Sequence, residues 1–218
     1  MLTDAPKLLA NPLAKEERMR LLREPHIAPL TQYVETLRLE AGPGAGIPYF
    51  DPWDGGIEAE ALFLLEAPGA KAVASGFISR NNNDETAKNM FELCREAGLD
   101  RKASVLWNAV PWYIGTGSKI RAATPADLEA GLKPLPRLLA LLPKVKTVVL
   151  VGRKAERARP QINGNKYRVF ASPHPSPLFV NNAPGNREKI LSIFHQVRES
   201  IVQPGAEAGG PENRGSSG

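Results

Sequence analysis

Short runs of apolar residues alternate along this chain with segments in which apolar residues repeat every three or four positions. Four continuous runs predict buried strands: Ala61 to Leu65, Ser104 to Trp107, Val145 to Val151 and Tyr167 to Ala171. Helical segments separate these runs, and strands that alternate with helices form parallel sheets with right-handed crossovers. The pattern therefore predicts an α/β fold built on a parallel sheet.

Helical periodicity and capping residues predict the helices. Ile27, Leu30, Val34 and Leu37 repeat on one helical face, and Thr124-Pro125-Ala126-Asp127 combines a capping residue, a proline and an acid as a helix start. The predicted helices are Lys15 to Arg23, Ile27 to Ala41, one capped by Asp84 through Ala97, one from Thr124 towards Leu142 with a break near Pro134 and Pro136, Arg153 to Arg159, and Asn186 to Val202.

Composition divides the chain into three parts. Residues 1–56 contain the first two helices and an aromatic loop, Ile47 to Gly56, and predict an N-terminal extension packed on the core. Residues 57–202 form the predicted α/β domain, and the Gly, Pro, Glu and Ser content of residues 203–218 predicts a flexible tail. With 218 residues and 42% hydrophobic content, the chain can bury one full core.

Charge and cysteine content exclude some classes of site. The net charge of +5 permits a polyanionic partner without demanding one. The single cysteine, Cys94, excludes an internal disulfide and a cysteine-ligated cluster, and fits a reducing cytosol. His26, His174 and His195 lie in different predicted elements. We therefore expect no metal and no other cofactor.

No segment has the length and apolar character of a membrane span or a secretory signal. We expect a soluble protein that acts as a monomer in the cytoplasm of a bacterial-type cell.

The segment Ser172 to Val180 has the strongest chemical signal. Its three prolines stop the preceding strand, and two of them flank His174 and restrict its backbone. A rigid loop at the carboxyl end of a strand is where α/β folds place ligand chemistry. Leu178 and Phe179 are apolar where a solvated loop would be polar. The loop can combine chemistry with a wedge, or it can be a packed loop whose histidine satisfies backbone groups.

Polar residues also follow two other predicted strands. Because parallel strands end at the same edge of a sheet, we expect Glu66, Asn108 and His174 to converge. Taken singly, Glu66 is explained as a cap or surface acid, Asn108 as a turn residue and Phe77 as a core aromatic. Together, Glu66, Asn108 and His174 place complementary polar groups in one cleft.

The order of four segments resembles the uracil-DNA glycosylase superfamily. These are Leu65-Glu66-Ala67-Pro68-Gly69, then Phe77, then Leu106-Trp107-Asn108, then His174-Pro175-Ser176-Pro177-Leu178, and the resemblance covers about Ala61 to Val202. It implies a three-layer sandwich with a central four-stranded parallel sheet flanked by helices. It also implies a DNA repair enzyme that flips uracil out of DNA and hydrolyses the N-glycosidic bond to leave an abasic site, with other deaminated bases as further candidate substrates.

Two motifs point to different branches of that superfamily. The His-Pro-Ser-Pro-Leu segment is as in the best-known uracil-specific branch, whereas Glu-Ala-Pro-Gly looks like the branch that carries an iron-sulfur cluster. Because this chain lacks the cysteines for such a cluster, the resemblance is to an atypical member.

The resemblance implies a role for each residue that would contact the base. His174 would hydrogen-bond uracil O2 as negative charge develops, helped by backbone amides near Ala67. Asn108 would donate to O4 and accept from N3–H, and cytosine presents the opposite pattern. Phe77 would stack on the extruded base. Gly69 stands where the uracil-specific branch has the tyrosine that blocks the thymine methyl group, so the range of bases stays open.

The resemblance also implies contacts to DNA containing uracil or abasic sites. Leu178 matches the leucine that fills the space left by the flipped base, and Ser176 and the turn at Pro68 would grip the flanking phosphates. Lys119 and Arg121 are candidate backbone contacts, with a solvated basic loop as the alternative.

Water activation is the step for which the sequence leaves two readings. Ala67 stands where the uracil-specific branch has a water-activating aspartate, so Glu66 is the nearest carboxylate in the motif. It could orient the water or stabilise the cationic sugar; otherwise it bonds backbone amides and holds the loop.

Two other functions stay open. One is a weakly catalytic or non-catalytic module that binds abasic or uracil-containing DNA. The other is an α/β protein that binds small nucleotides without a DNA duplex. The presence of both His174 and Asn108 favours the enzyme, and an apolar Leu178 on a loop counts against the small-molecule reading.

Overall fold

The computed structural model describes residues 2–117 and 119–202, so the tail predicted at 203–218 lies outside the described residues. The strands are β1 (Tyr49–Phe50), β2 (Ala61–Leu65), β3 (Phe77–Ile78), β4 (Ser104–Asn108), β5 (Thr147–Val151) and β6 (Arg168–Ser172). The helices are α1 (Pro12–Leu21), α2 (Ala28–Ala41), α3 (Ala70–Ser75), α4 (Glu85–Glu96), α5 (Pro125–Leu132), α6 (Leu135–Ala140), α7 (Pro177–Val180) and α8 (Asn186–Val202). Short 3₁₀ segments lie at Leu8–Ala10, Gly56–Glu58, Arg101–Ala103 and Ala155–Gln161.

The central sheet has the strand order β4-β2-β5-β6, and every neighbouring pair is parallel. In the register, Leu65 of β2 lies opposite Asn108 of β4, and Val151 of β5 lies opposite Ser172 of β6. The predicted α/β fold with a four-stranded parallel sheet is confirmed. Because the strands run in one direction, the residues that follow their carboxyl ends share one edge of the sheet.

Aromatic contacts show how both faces of the sheet are covered. On one face, Trp107 of β4 stacks on Phe50 with ring centroids 4.0 Å apart, and Tyr33 of α2 meets Trp107 edge-on at 6.0 Å. On the other face, Phe63 of β2 packs against Phe194 of α8 at 5.2 Å. The alternation of side chains along the strands separates these two contacts. The expected three-layer sandwich is therefore confirmed, and Cys94 is buried in its core.

Capping chemistry explains where helices differ from the sequence prediction. The first helix begins at Pro12 rather than Lys15, because Asn11 Oδ1 accepts the N–H of Leu13 and proline suits the first turn. The helix predicted from Thr124 breaks at Pro134, as expected, into α5 and α6. The short helix predicted at 153–159 is the 3₁₀ segment Ala155–Gln161.

Two short helices and a small sheet were missed by sequence reasoning. These are α3, α7 and a two-stranded parallel sheet of β1 and β3, in which Tyr49 lies opposite Phe77. Elements of two to six residues are too short to show a hydrophobic period, so the pattern along the chain has no signal for them.

A buried cluster of charges joins the N-terminal part of the chain to the segment before β4. Arg18 of α1 donates from Nε to Asp51 Oδ1 at 2.9 Å, and its guanidinium lies 3.2 Å from the centre of the Trp53 ring. Arg101 donates to Asp51 Oδ2 at 2.6 Å, and its Nε lies 2.8 Å from Asp54 Oδ1. Arg18, Asp51 and Asp54 are fully buried. Buried charges persist only when paired, so these segments must pack together.

The two aspartates of this cluster titrate differently. Burial raises the pKa of Asp51, but the charges of Arg101 and Arg18, with hydrogen bonds from Ser79 and the Trp53 N–H, outweigh it, so the pKa is lowered. At Asp54 burial prevails over the charges of Arg101 and Arg80, and the pKa is raised. Asp51 is therefore the carboxylate that holds a full negative charge between two guanidinium groups.

No helix in the described ranges combines the length and the apolar character needed to cross a bilayer.

We predict that Asp51→Asn destabilises the protein strongly, because it leaves the buried guanidinium groups of Arg18 and Arg101 without their shared anion. Removing one partner of a buried ion pair costs about 3–5 kcal/mol. Urea unfolding near neutral pH measures the change. Glu40→Gln, which removes the exposed partner of Arg137, is the control and should unfold as the wild type does. Wild-type stability in Asp51→Asn would contradict this account of the cluster.

Candidate active site

A cavity of about 730 Å³ opens at the carboxyl ends of β2 and β4. It brings together residues from three of the segments singled out in the sequence, although these lie far apart along the chain. The predicted site residues that line the cavity are Glu66, Ala67, Pro68, Gly69, Asn108, Arg121 and His174. Complementary polar groups therefore share one concave site, which is the usual place for a ligand in a parallel α/β fold.

Glu66 ties two loops together at one side of this cavity. Its Oε1 accepts the N–H of Ala123 at 2.6 Å, and its carbonyl oxygen accepts the N–H of Val110 at 2.9 Å. Lys154 Nζ donates to the carbonyl oxygen of the same Ala123 at 2.6 Å. The carboxylate of Glu66 thus bonds a backbone amide and holds the segment that leads into α5. This is the structural alternative to a role of Glu66 in water activation.

Asn108 presents an unpaired amide to the cavity. It is the last residue of β4 and is 4% exposed, and its buried Nδ2 has no hydrogen-bond partner among the described residues. Other unpartnered buried polar atoms belong to Arg18, Asp54, Arg80 and Arg101, where opposite charges in the ion cluster compensate. Asn108 belongs to no such pair. Since buried polar groups are normally satisfied, an acceptor on a ligand is the natural partner for this amide.

Contacts from two elements hold the loop of His174. Asn89 of α4 donates from Nδ2 to the carbonyl oxygen of Pro175 at 2.9 Å. Gly152, after β5, has φ +86°, and a Cβ there would lie 3.2 Å from His174 Cβ. Glycine thus permits both the turn and the close approach. Ser176 begins α7 by accepting the N–H of Phe179 on Oγ at 3.3 Å. The backbone that carries the imidazole is therefore held in place before any ligand binds.

The environment of His174 favours the neutral imidazole. Burial lowers its pKa from the usual 6.5, and the negative charges of Glu66 and Asp84 only partly oppose this effect. At neutral pH the ring carries one N–H donor and one acceptor nitrogen. Such a group can donate a hydrogen bond to a developing anion without itself bringing a charge into the site.

Phe77 does not lie where sequence reasoning put it. Its side chain is fully buried with Leu9, Ala14 and Leu22, away from the cavity wall. The next residue of β3, Ile78, lines the cavity. Successive side chains of a strand point to opposite faces, so a base in the cavity would meet Ile78 rather than the Phe77 ring. The role predicted for Phe77 is therefore corrected: its ring does not reach the cavity, and the aliphatic side chain of Ile78 takes this place in the wall.

The candidate DNA contacts differ in where they lie and in how free their side chains are. Pro68 and Arg121 line the cavity, whereas Ser176, Leu178 and Lys119 are not among the described residues that line it. Leu178 on α7 is 83% exposed, as a wedge residue has to be. Ser176 Oγ is engaged as the cap of α7. Lys119 is exposed beside a neighbouring pocket, whereas Arg121 is paired with Asp127, with Nη2 2.9 Å from Oδ1. Ile120, which sequence reasoning did not single out, is 49% exposed and lines the cavity.

Asp84 is another cavity residue whose position the sequence did not reveal. Capping chemistry identified it as the start of α4, and its Oδ1 accepts the N–H of Ala87 at 2.9 Å. The fold adds that this helix begins at the cavity wall, so the carboxylate of Asp84 lines the same space as His174. A capping motif has the same sequence signal wherever its helix lies.

Within residues 2–117 and 119–202, no group of three or more His, Cys, Asp or Glu side chains is arranged to hold a metal ion.

Comparison with known proteins identifies the family of this chain. The family model described as the uracil DNA glycosylase superfamily matches residues 52–198, which is more than half of the chain. A search of the curated proteins finds no match.

Solved structures with a similar arrangement share little sequence with this chain. The NMR structure of a provisionally assigned uracil DNA glycosylase from Methanosarcina acetivorans is 17% identical, with a TM-score of 0.42 over 64% of this chain and 91% of that one. The crystal structure of mimivirus uracil-DNA glycosylase is 15% identical, with a TM-score of 0.41 over 84% and 79%. The wild-type UNG of Nitratifractor salsuginis is 15% identical, with a TM-score of 0.43 over 89% and 97%.

The lowered pKa of His174 predicts a pH dependence of stability. Between its folded and unfolded pKa values the unfolded chain binds more protons, so this stabilising contribution is complete above about pH 6.5 and is lost as the pH falls. Melting temperatures measured from about pH 7.5 to about pH 5.5 should fall less in His174→Gln than in the wild type. His195→Gln, at an exposed position of α8, is the control. Equal slopes in His174→Gln and the wild type would contradict the prediction.

Proposed function

The chain belongs to the uracil-DNA glycosylase superfamily, and on that basis we propose that it is a DNA repair glycosylase. In this proposal it flips uracil out of DNA and hydrolyses the N-glycosidic bond, leaving an abasic site. The observation that carries the proposal is the buried amide of Asn108, whose Nδ2 has no partner among the described residues and which lies in the same cavity as His174. This combination offers one group to recognise a base and another to stabilise it as it leaves.

Base recognition is assigned to Asn108. Its Nδ2 donates to O4 of uracil and its Oδ1 accepts from N3–H, whereas cytosine presents a donor and an acceptor in the opposite places. Water has little access to a side chain that is 4% exposed, so a mismatched base leaves buried groups unpaired. Ile78 supplies an apolar surface for the base, and Ala67 and Gly69 line the cavity near it.

Leaving-group stabilisation is assigned to His174. As the bond to the sugar breaks, its electron pair stays with the base and negative charge appears on O2. A neutral imidazole on a loop that the Asn89 contact and close packing on Gly152 hold in place can donate to that oxygen with little backbone movement. Preorganised donors of this kind are the largest single contribution in many enzymes.

DNA engagement is assigned to the rim of the cavity. Extruding a base costs a few kcal/mol of stacking and pairing, least at a mismatch. Leu178, which is 83% exposed, fills the vacated space. Ser176 and the turn at Pro68 would bind the flanking phosphates, and Lys119, which is exposed and forms no ion pair with the described residues, adds a positive charge. Arg121 contributes only if it exchanges Asp127 for a phosphate, since the two are paired.

A non-catalytic module that binds abasic or uracil-containing DNA is the second candidate. The observation in its favour is that Ala67 has no carboxylate and that Glu66 is bonded to the Ala123 N–H. The two functions are separated by incubating excess protein with oligonucleotides that carry uracil, hypoxanthine or xanthine, in single strands and in duplexes. Abasic-site formation supports the enzyme. Tight binding without abasic sites on any substrate supports the binding module and overturns the proposal.

We predict that His174→Ala slows single-turnover excision of uracil by about 10²–10³-fold, the usual effect of losing one donor to a developing oxyanion. Because the residue is proposed to act on the leaving base, affinity for uracil-containing DNA should stay near the wild-type value. His195→Ala, at an exposed position on α8, serves as the control. Unchanged excision in His174→Ala would remove this residue from the mechanism.

Asn108→Asp tests base recognition. The substitution replaces the NH₂ donor by an acceptor, so we predict weaker uracil excision and some excision of cytosine, whose amine can donate to the new oxygen. Competition between uracil and cytosine oligonucleotides under single-turnover conditions measures the change in preference. Full uracil activity in this variant would show that the base is read by another group.

A further inference from the structure

The candidate active site contains two carboxylates, and they differ in how they are held. Among the described residues that line the cavity, the acidic ones are Glu66 and Asp84. Ala67 offers no carboxylate at the position where the resemblance implies one. If a carboxylate takes part in hydrolysis at this site, the choice is between these two side chains.

Glu66 is engaged by a bond that the loops depend on. Its Oε1 lies 2.6 Å from the backbone nitrogen of Ala123, which lies directly before the cap of α5 and is also bonded to Lys154 through its carbonyl oxygen. A movement of Glu66 towards a substrate would break this bond and release the loop. The side chain is therefore a brace between the turn after β2 and the start of α5.

Asp84 is held by bonds that leave part of its carboxylate free. Its Oδ1 accepts the Ala87 N–H, and its backbone N–H donates to Asn82. Within the described residues, no hydrogen bond is made to Oδ2. The side chain is partly exposed at the cavity. One carboxylate oxygen thus fixes the position of the group while the other stays available.

The helix that Asp84 begins also holds the histidine loop. Asn89, in the second turn of α4, bonds the carbonyl oxygen of Pro175 at 2.9 Å. The carboxylate of Asp84 and the loop that carries His174 are therefore held by the same helix, and the negative charge of Asp84 acts on the imidazole. The base-binding amide of Asn108 lies in the same cavity wall.

We propose that Asp84 is the carboxylate that stabilises the cationic sugar and accepts a proton from the attacking water. The proposal rests on the glycosylase function proposed above. When the C1′–N1 bond of deoxyuridine breaks, its electron pair leaves with the base and C1′ becomes cationic. A lone pair of water forms the new C1′–O bond, and one water proton passes to Asp84 Oδ2. Solvent returns this proton to the uracil anion, so that one water molecule is consumed for each bond broken.

Asp84→Asn is the first test, because asparagine caps a helix as well as aspartate does. The start of α4 should persist while the charge and the basic oxygen are lost. We expect single-turnover excision to fall by about 10²–10⁴-fold, the range for a general acid or base. Asp100→Asn is the matched control. Asp100 also caps a short helical segment, accepting the Lys102 N–H at 2.9 Å, but it lies outside the cavity.

Asp84→Ser gives a readout that a structural role would not produce. Serine keeps the helix cap and is shorter, so it leaves room for a small carboxylate. Added formate should raise the single-turnover rate of Asp84→Ser and leave that of the wild type unchanged.

The outcomes separate this proposal from the function on which it rests. Excision at the wild-type rate by Asp84→Asn overturns the role of Asp84 alone, as does a rate of Asp84→Ser that formate does not raise. A larger loss in Glu66→Gln than in Asp84→Asn assigns the role to Glu66 and also overturns the proposal. If the wild-type protein excises no base from any substrate, the proposed glycosylase function falls, and the role of Asp84 falls with it.

Discussion

Parallel pairing of the strands is the constraint on which this site depends. Each strand of a parallel sheet must end at the same edge, so the turn after β2, the end of β4 and the loop after β6 meet there although they are distant in sequence. The polar side chains at these points therefore do not have to be long to reach a common cavity. Short, well-packed side chains such as those of Asn108 and His174 can then form a site whose geometry is set by the backbone.

The polar groups around this edge of the sheet are of two kinds. Some hold the loops by hydrogen bonds to the backbone, and others have no hydrogen-bond partner in the described protein. Glu66 and Asn89 use their hydrogen bonds on backbone atoms of neighbouring loops. Asn108 has a buried donor with no partner in the described protein. A buried donor without a partner lowers the stability of the free protein, and an acceptor on a ligand would restore it by pairing with this donor.

The sequence predicted the sheet well because continuous apolar runs and helix caps are local signals. The four long strands and the break at Pro134 follow from residues that are adjacent in the chain. The cavity members Ile78 and Asp84 were missed for a different reason. Which of two neighbouring residues on β3 faces the cavity depends on how the strand is turned against the core, and a helix cap looks the same at a cavity as elsewhere. The pairing of Arg18 with Asp51 likewise joins positions whose contact only the tertiary fold creates.

The buried charge cluster has a consequence for the order of events during protein synthesis. Asp51 and Asp54 leave the ribosome well before Arg101, the guanidinium that contacts both. Until that arginine emerges, Asp51 has only Arg18 and Asp54 only Arg80 as an ionic partner, and desolvating incompletely paired ions costs several kcal/mol each. We therefore expect α1 and the aromatic loop to reach their final packing only after the segment before β4 has been made, so that some of the first residues to be synthesised are among the later ones to settle.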